Sequence, residues 1–262
     1  MRVIAALVLA PLAIALAYAG GWMWNCLVTL AAIGLYVEWL MVVGAAAYVG
    51  AMVSGIVALA IIGFCFNFGW VNVAFLFGIL GLAWVALLAS EKRGWAAAGF
   101  VYAAAAQVAS VLVRQDPTNG FSALMFVLLV VWGADIGGYF AGRIIGGPKL
   151  WPRVSPKKTW AGALGGSGAS LLIAAGFAVL EFGKIGPLLA LAALLSVISQ
   201  LGDLFESAVK RRFGVKDSSH LIPGHGGLMD RLDGFVAAIV IAAIFGLLRR
   251  GLDGIGSGLM VW

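Results

Sequence analysis

Nine apolar runs dominate this chain, and each is about as long as a membrane-spanning helix. A helical span needs about 20 mostly apolar residues. Of the 262 residues, 63% are hydrophobic and 11% are charged, whereas soluble domains average about 45–50% and about 25%. The runs cover residues 3–19, 22–41, 50–66, 71–89, 95–113, 121–141, 161–181, 185–203 and 232–248. The sequence therefore predicts an all-α, polytopic integral membrane helix bundle with about nine transmembrane helices.

The first run has a second interpretation, as a signal peptide, because Arg2 precedes it and Ala17-Tyr18-Ala19 is similar to a cleavage site. Its apolar part is longer than the roughly 7–15 residues of such peptides, so we expect it to remain as a span. We expect about five N-terminal transmembrane helices in residues 1–130. Residues 131–262 would hold the remaining helices and the catalytic loops, within one structural unit.

The distribution of lysine and arginine predicts the orientation, since these residues favour cytoplasmic loops. With the N-terminus inside, 13 of the 17 lie on the inner side and 4 on the outer side. Arg249 and Arg250 follow the last span and go against the rule. The net charge of +6 comes from these loops, so it does not indicate nucleic-acid binding. Cys26 and Cys65 lie inside apolar runs, which favours small core residues over a disulfide framework.

The densest group of charges runs from Ser207 to Gly234 and contains both histidines of the chain. Asp203 and Ser207 are four residues apart on the preceding helix, so they share a face, and Lys210 lies two turns from Asp203. Asp230 and Asp233 open the next helix, three residues apart. Carboxylates from two helices suit a hard cation, which takes oxygen ligands. The interspersed basic residues and bare glycine N–H groups suit phosphate.

These residues also form a motif. The order Ser207-x-x-Lys210-Arg211, Lys216-Asp217, Pro223-x-His225-Gly226-Gly227, Asp230-Arg231-x-Asp233 resembles the signature of the phosphatidate cytidylyltransferase family. Two upstream blocks, Asp135 to Arg143 and Ser155 to Thr159, also resemble that family, and so does the pair Glu38-Trp39. Ala161 stands where the family often has glutamate, and Gly138 where it favours alanine. The resemblance covers about residues 135–250.

The resemblance implies a multi-pass protein of the inner membrane, with its active site on the cytoplasmic side, that transfers CMP from CTP to phosphatidic acid. The expected partners are these two substrates and membrane lipids, with no nucleic acid, and a homodimer is left open. The expected cofactor is Mg²⁺, and a second cation is left open. We predict the metal ligands Asp203, Asp230 and Asp233, and these three with Lys210 as catalytic residues. The predicted substrate-binding residues are Lys157, Lys158, Ser207, Arg211, Lys216, His225, Gly226, Gly227 and Arg231.

Other interpretations remain open from the residues alone. Asp230 or Asp233 could cap the last helix, since carboxylates favour a helix N-terminus. The chain could be a CTP-dependent kinase or a cytidylyltransferase of another lipid. It could also be an ion-coupled secondary transporter in which Asp135 and Asp203 carry ions. The sequence contains no obvious repeat, and its densest charges lie at the membrane edge, which favours an enzyme.

Overall fold

The fold is described by a computed structural model that covers residues 2–219 and 226–262, with side chains from residue 10 onward. The long helices follow one another with short connections. They are α1 (Arg2–Ala19), α2 (Gly21–Val42), α3 (Val49–Asn67), α4 (Val71–Leu88), α5 (Arg93–Gln115), α6 (Gly120–Ile144), α7 (Trp160–Val179), α8 (Ile185–Arg212) and α9 (Met229–Arg250). A short helix, α10 (Ile255–Met260), ends the chain.

Every predicted apolar run falls on one of the helices α1–α9, which confirms the all-α membrane architecture. In the described part of the chain, eight of them, α2–α9, are long and apolar enough to cross a membrane. In helix α1, the residues with described side chains form a further apolar stretch, Ala10–Ala19, and the count of about nine stays a prediction. Helix α8 extends nine residues beyond the apolar run that ends at residue 203, because the polar residues after Asp203 continue the same helix.

One sheet element was not predicted. Strands β1 (Lys149–Trp151) and β2 (Ser155–Thr159) form an antiparallel hairpin between α6 and α7, and Lys149 pairs with Thr159. Thr159 then caps α7, because its hydroxyl oxygen accepts a hydrogen bond from Gly162 N at 3.1 Å. The hairpin therefore connects to the start of α7 in a fixed way.

The chain divides into two compact units. The first unit comprises Met1–Val111 and Val209–Leu232, and the second comprises Leu112–Ala208 and Asp233–Trp262. Polar side chains join helices within the first unit: Gln107 donates to Leu59 O at 3.0 Å, Asn25 to Gly63 O at 2.7 Å, and Tyr36 to Ala51 O at 2.8 Å. The predicted division at residue 130 stays a prediction.

In the second unit, α6 and α7 pack together through glycines. A Cβ atom on Gly137 would lie 2.6 Å from the Cβ of Ala169, and one on Gly166 would lie 2.5 Å from Ala134 O. Only residues without side chains allow two helices to approach so closely. Ser170 adds a hydrogen bond across the same contact, from its hydroxyl to Val130 O at 2.9 Å. This packing sets the position of Asp135 on α6 relative to the start of α7.

Candidate active site

A cavity of about 400 Å³ opens in the second unit between α6, the hairpin, α7 and α8. We call it the carboxylate cavity. Its volume lies in the range of small-molecule sites. The charged side chains that line it are Asp135, Arg143, Lys157, Lys158 and Asp203. Three cations and two carboxylates around one opening suit a polyanion that binds together with a cation.

Strand β2 supplies the two lysines of the cavity. Lys158 is half-buried and forms an ion pair with Asp203 of α8, whereas Lys157 is exposed at the cavity wall. Asp203 also accepts a hydrogen bond from the Ser207 hydroxyl at 3.3 Å. This confirms that Asp203 and Ser207 share a helical face. The ion pair fixes the amino group of Lys158 beside the carboxylate of Asp203.

Asp233 of α9 lies within electrostatic reach of Asp203, Asp135 and Lys158. Helices α8 and α9 can approach here because a Cβ on Gly202 would lie 2.8 Å from Asp233 O. Asp233 also accepts a hydrogen bond from Gly234 N at 2.7 Å. The second unit thus collects three carboxylates, Asp135, Asp203 and Asp233, close to Lys158.

This donor set fits a divalent cation by its chemistry. Carboxylate oxygens are the ligands that Mg²⁺ prefers, and one or two of them suffice when substrate phosphates and water complete the coordination. Among the described residues, no group of three or more His, Cys, Asp or Glu side chains is arranged to hold a metal ion on its own.

Lys210 and Asp230 belong to the first unit, where they form an ion pair with each other. Lys210 is buried, with 8% of its surface exposed. The second oxygen of Asp230 accepts hydrogen bonds from Ser218 N at 3.0 Å, from the Ser218 hydroxyl at 3.0 Å and from Gly227 N at 2.9 Å. Both oxygens of Asp230 therefore have protein donors, and its predicted role as a metal ligand stays a prediction.

The other predicted substrate-binding residues lie in different settings. Arg211, Lys216 and Arg231 are exposed, and Arg211 donates to Val215 O at 3.1 Å. Gly226 has a φ of 84°, which favours glycine. Gly227 is buried, and His225 lies outside the described residues. Their contacts with substrate remain predictions.

Sequence reasoning did not select several residues that the structure brings to these sites. Arg143 and Tyr139 line the carboxylate cavity, and the arginine donates to the tyrosine hydroxyl at 2.8 Å. Gln200 lines it as well. The helical spacing 135, 139, 143 on α6 was a usable signal for two of them, and the step from 200 to 203 on α8 for the third.

In the first unit, the missed residue is Glu38 of α2. Its carboxylate accepts hydrogen bonds from Ser218, Ser219, Leu228 and Met229. Sequence analysis identified Glu38 only as half of a Glu-Trp pair. The partners lie about 180 residues away in the sequence, so no local pattern pointed to them.

Residues 1–248 of the chain match the sequence model of the cytidylyltransferase family. It is also similar to individual curated proteins. A protein of Brucella suis is 51% identical over 157 residues, which are 59% of this chain and 57% of that protein. A protein of Haemophilus influenzae is 44% identical over 138 residues, 50% of this chain and 47% of that protein.

A protein of Staphylococcus epidermidis is 36% identical over 184 residues, 67% of this chain and 70% of that protein. All three relatives carry the name phosphatidate cytidylyltransferase. The similarity to the Brucella and Haemophilus proteins spans only about half of their length.

Proposed function

The chain belongs to the cytidylyltransferase family, and we propose that it transfers CMP from CTP to phosphatidic acid, giving CDP-diacylglycerol and pyrophosphate. The observation that carries this proposal is the carboxylate cavity, in which Arg143, Lys157 and Lys158 face Asp135 and Asp203. A reaction between two phosphate anions needs both kinds of charge in one place. The names of the similar proteins support the same reaction.

The reaction makes modest demands on acid–base chemistry. The nucleophile is an oxygen of the lipid phosphate, which is largely ionised at neutral pH because its second pKa is about 6. That oxygen forms a bond to the α-phosphorus of CTP, while the bond from this phosphorus to the β-phosphate oxygen breaks. The electron pair of the broken bond leaves with pyrophosphate. A strong general base is therefore unnecessary.

What the protein must supply is orientation and charge neutralisation. Lys157 and Lys158 project from one strand into the cavity and, with Arg143, would bind the phosphates of CTP and the lipid. Arg143 can form two parallel hydrogen bonds to one phosphate, whereas a lysine acts as a point charge. The ion pair with Asp203 holds Lys158 in place before substrate arrives, which reduces the cost of ordering it.

Asp203 and Asp233, with Asp135 nearby, are the residues that would hold Mg²⁺. When bound, this ion would neutralise negative charge on the triphosphate and help to align it. Without substrate, Lys158 interacts electrostatically with Asp135 and Asp233 and forms an ion pair with Asp203. Asp230 as a ligand and a second cation stay predictions, which a Mg²⁺ titration of pyrophosphate release by wild type and Asp230→Asn can test.

The site would lie at the cytoplasmic headgroup level of the inner membrane, because CTP is water-soluble and the lipid is not. The excess of lysine and arginine in the loops on that side supports this orientation. Membrane lipids surround the helices in this proposal. A homodimer remains open, and the mass of the detergent-solubilised protein decides it.

The test uses purified protein, CTP and phosphatidic acid in mixed micelles, with both products measured. Formation of pyrophosphate and CDP-diacylglycerol in equal amounts supports the proposal. A CTP-dependent lipid kinase would instead release CDP when diacylglycerol replaces phosphatidic acid. Protein that releases neither pyrophosphate nor CDP would contradict the enzymatic proposal and favour the transporter.

A further inference from the structure

Glu38 is a buried carboxylate near the C-terminal end of α2, with 0% of its surface exposed. Its Oε1 atom accepts hydrogen bonds from the Ser219 hydroxyl at 2.6 Å and from Leu228 N at 2.8 Å. Its Oε2 atom accepts from the Ser218 hydroxyl at 2.9 Å and from Met229 N at 2.7 Å. All these residues belong to the first unit. One side chain thus binds two separate stretches of the chain.

The two backbone donors, Leu228 N and Met229 N, lie at the N-terminus of α9, which begins at Met229. The first N–H groups of a helix have no partner inside the helix. Glu38 provides this partner from another helix, and its negative charge also favours the positive end of the helix dipole. The carboxylate therefore acts as a cap and determines where α9 begins.

Two glycines allow the chain to pack closely around Glu38 and Leu228. A Cβ on Gly227 would lie 2.5 Å from Glu38 Oε2, and one on Gly34 would lie 2.8 Å from a methyl group of Leu228. Asp230 binds the same two stretches, since it accepts from Ser218 N and from Gly227 N. Glu38 and Asp230 therefore both connect Ser218 with the residues that follow position 225.

We propose that Glu38 is a positioning residue, which fixes the start of α9 and thereby holds Asp230 in place against Lys210. This inference deepens the proposed function and rests on it, because Lys210 and Asp230 belong to the predicted catalytic motif. Burying a carboxylate is costly unless every oxygen is well hydrogen-bonded. Four donors on one carboxylate meet that requirement, and they make its geometry specific.

Glu38→Gln is the discriminating variant, because it keeps the volume while it removes the negative charge and turns one acceptor atom into a donor. The glutamine NH₂ group would face a backbone N–H, and a backbone N–H cannot change from donor to acceptor. If Glu38 merely filled space, glutamine would be tolerated. The matched control is Glu91→Gln, which makes the same change at an exposed glutamate of the first unit.

The primary measurement is hydrogen–deuterium exchange of the solubilised protein without substrate. We expect the amides of Leu228 and Met229 to exchange about tenfold faster or more in Glu38→Gln, with helices α3 and α4 and the Glu91→Gln protein unchanged. We also expect kcat for pyrophosphate release to fall by about tenfold to a hundredfold, while KM for CTP changes less. Wild-type exchange in a folded Glu38→Gln protein would overturn the proposal, even if its activity were lost.

A second variant covers the case in which Glu38→Gln does not fold. Gly227→Ala leaves Glu38 intact and places a methyl group 1.8 Å from the Ser218 hydroxyl and 2.5 Å from Glu38 Oε2, so it should displace the carboxylate together with its serine donor and release the same two amides. Wild-type exchange in Gly227→Ala overturns the proposal. The exchange readout needs no turnover. If the wild-type protein releases no pyrophosphate, the proposed function fails, and the exchange data still decide the role of Glu38.

Discussion

Lys158 and Lys149 carry the same charge in different surroundings. Both lie in the same hairpin, but Lys158 lines the carboxylate cavity and pairs with Asp203, whereas Lys149 is exposed and is not among the cavity-lining residues. A positioned charge acts on the substrate directly. An exposed charge senses mainly the surface potential, which salt screens.

We therefore expect Lys158→Ala to lower kcat/KM for CTP by about 10²-fold or more at every salt concentration. Lys149→Ala should cost less than about tenfold, and the loss should shrink as salt rises. Turnover in mixed micelles across a salt series measures both. Equal losses for the two variants would mean that the cavity is not where CTP binds.

Asp116 is a buried carboxylate that connects the loop between α5 and α6 to the C-terminal segment. It is buried between α5 and α6 and accepts hydrogen bonds from Thr118 N and Asn119 N at 2.9 Å and from Ser257 N at 2.6 Å. Burial by itself raises the pKa of this carboxyl, but the donors from Asn119, Ser257 and Thr118 outweigh burial and hold its pKa below the ordinary value. A lowered pKa means that the charged form stabilises the fold.

The contribution of Asp116 is therefore complete above the unfolded pKa of about 3.9 and is lost as the pH falls through the lower folded value. We expect Asp116→Asn to lower Tm at pH 7 by about 2–6 °C. The difference from wild type should shrink at the lowest pH that the protein tolerates. Thermal unfolding in detergent tests this, with the exposed Asp253→Asn as control. A difference that grows as the pH falls would contradict the sign.

At the scale of elements, the contact between α6 and α7 places Asp135 beside the hairpin. Gly166→Ala would put a methyl group 2.5 Å from Ala134 O, whereas Gly168→Ala on the same helix meets nothing within 4 Å. We expect the first variant to be destabilised by about 1–3 kcal/mol and to lose activity. The second should be neutral or slightly stabilised, since alanine is the better helix former. Equal unfolding temperatures would show that the helices do not pack as described.

The helices were predictable because length and hydropathy alone define a membrane span. The extension of α8 to Arg212 was also predicted, since Asp203, Ser207 and Lys210 share a helical spacing. The hairpin was not, because three-residue and five-residue strands rich in lysine and proline have no apolar alternation. Glu38 shows the other limit: its role depends on partners far away in the sequence.

Within the candidate site, sequence reasoning selected carboxylates and basic residues but did not predict which of them lie together. It grouped Asp203, Asp230 and Asp233 by chemistry and motif. The structure gives Asp230 its own lysine, whereas Asp203 and Asp233 share electrostatic surroundings with Asp135 and Lys158. Which carboxylate pairs with which cation depends on packing between helices, and spacing along one helix cannot supply it.

For the molecule as a whole, the proposed orientation in the membrane rests on the loop charges. Arg153 precedes α7 and Lys184 follows it, and both are exposed. A helix of 20 residues is about 30 Å long, enough to cross the hydrocarbon core. Single cysteines at these two positions, with Cys26 and Cys65 replaced, should react with an impermeant maleimide from opposite sides, Arg153→Cys from the cytoplasm. Labelling from one side would contradict the proposed span.

Arg249, which goes against the charge rule, has a local explanation in the second unit. Its guanidinium donates to Gly258 O and lies 3.6 Å from the ring centre of Trp262. In the last turn of α9, this charge is held by a carbonyl and an aromatic face, and it packs against the C-terminal segment. Because these contacts hold its charge, Arg249 is weaker evidence about the orientation than an arginine in a loop.

We propose that CMP is transferred from CTP to phosphatidic acid at the carboxylate cavity. The most direct measurement is pyrophosphate release at saturating CTP and phosphatidic acid, with Asp203→Asn compared against Asp253→Asn. We predict that Asp203→Asn loses about 10²–10³-fold in kcat while its unfolding temperature stays near that of the wild type, and that Asp253→Asn retains full activity. Wild-type turnover by a folded Asp203→Asn protein would contradict the account.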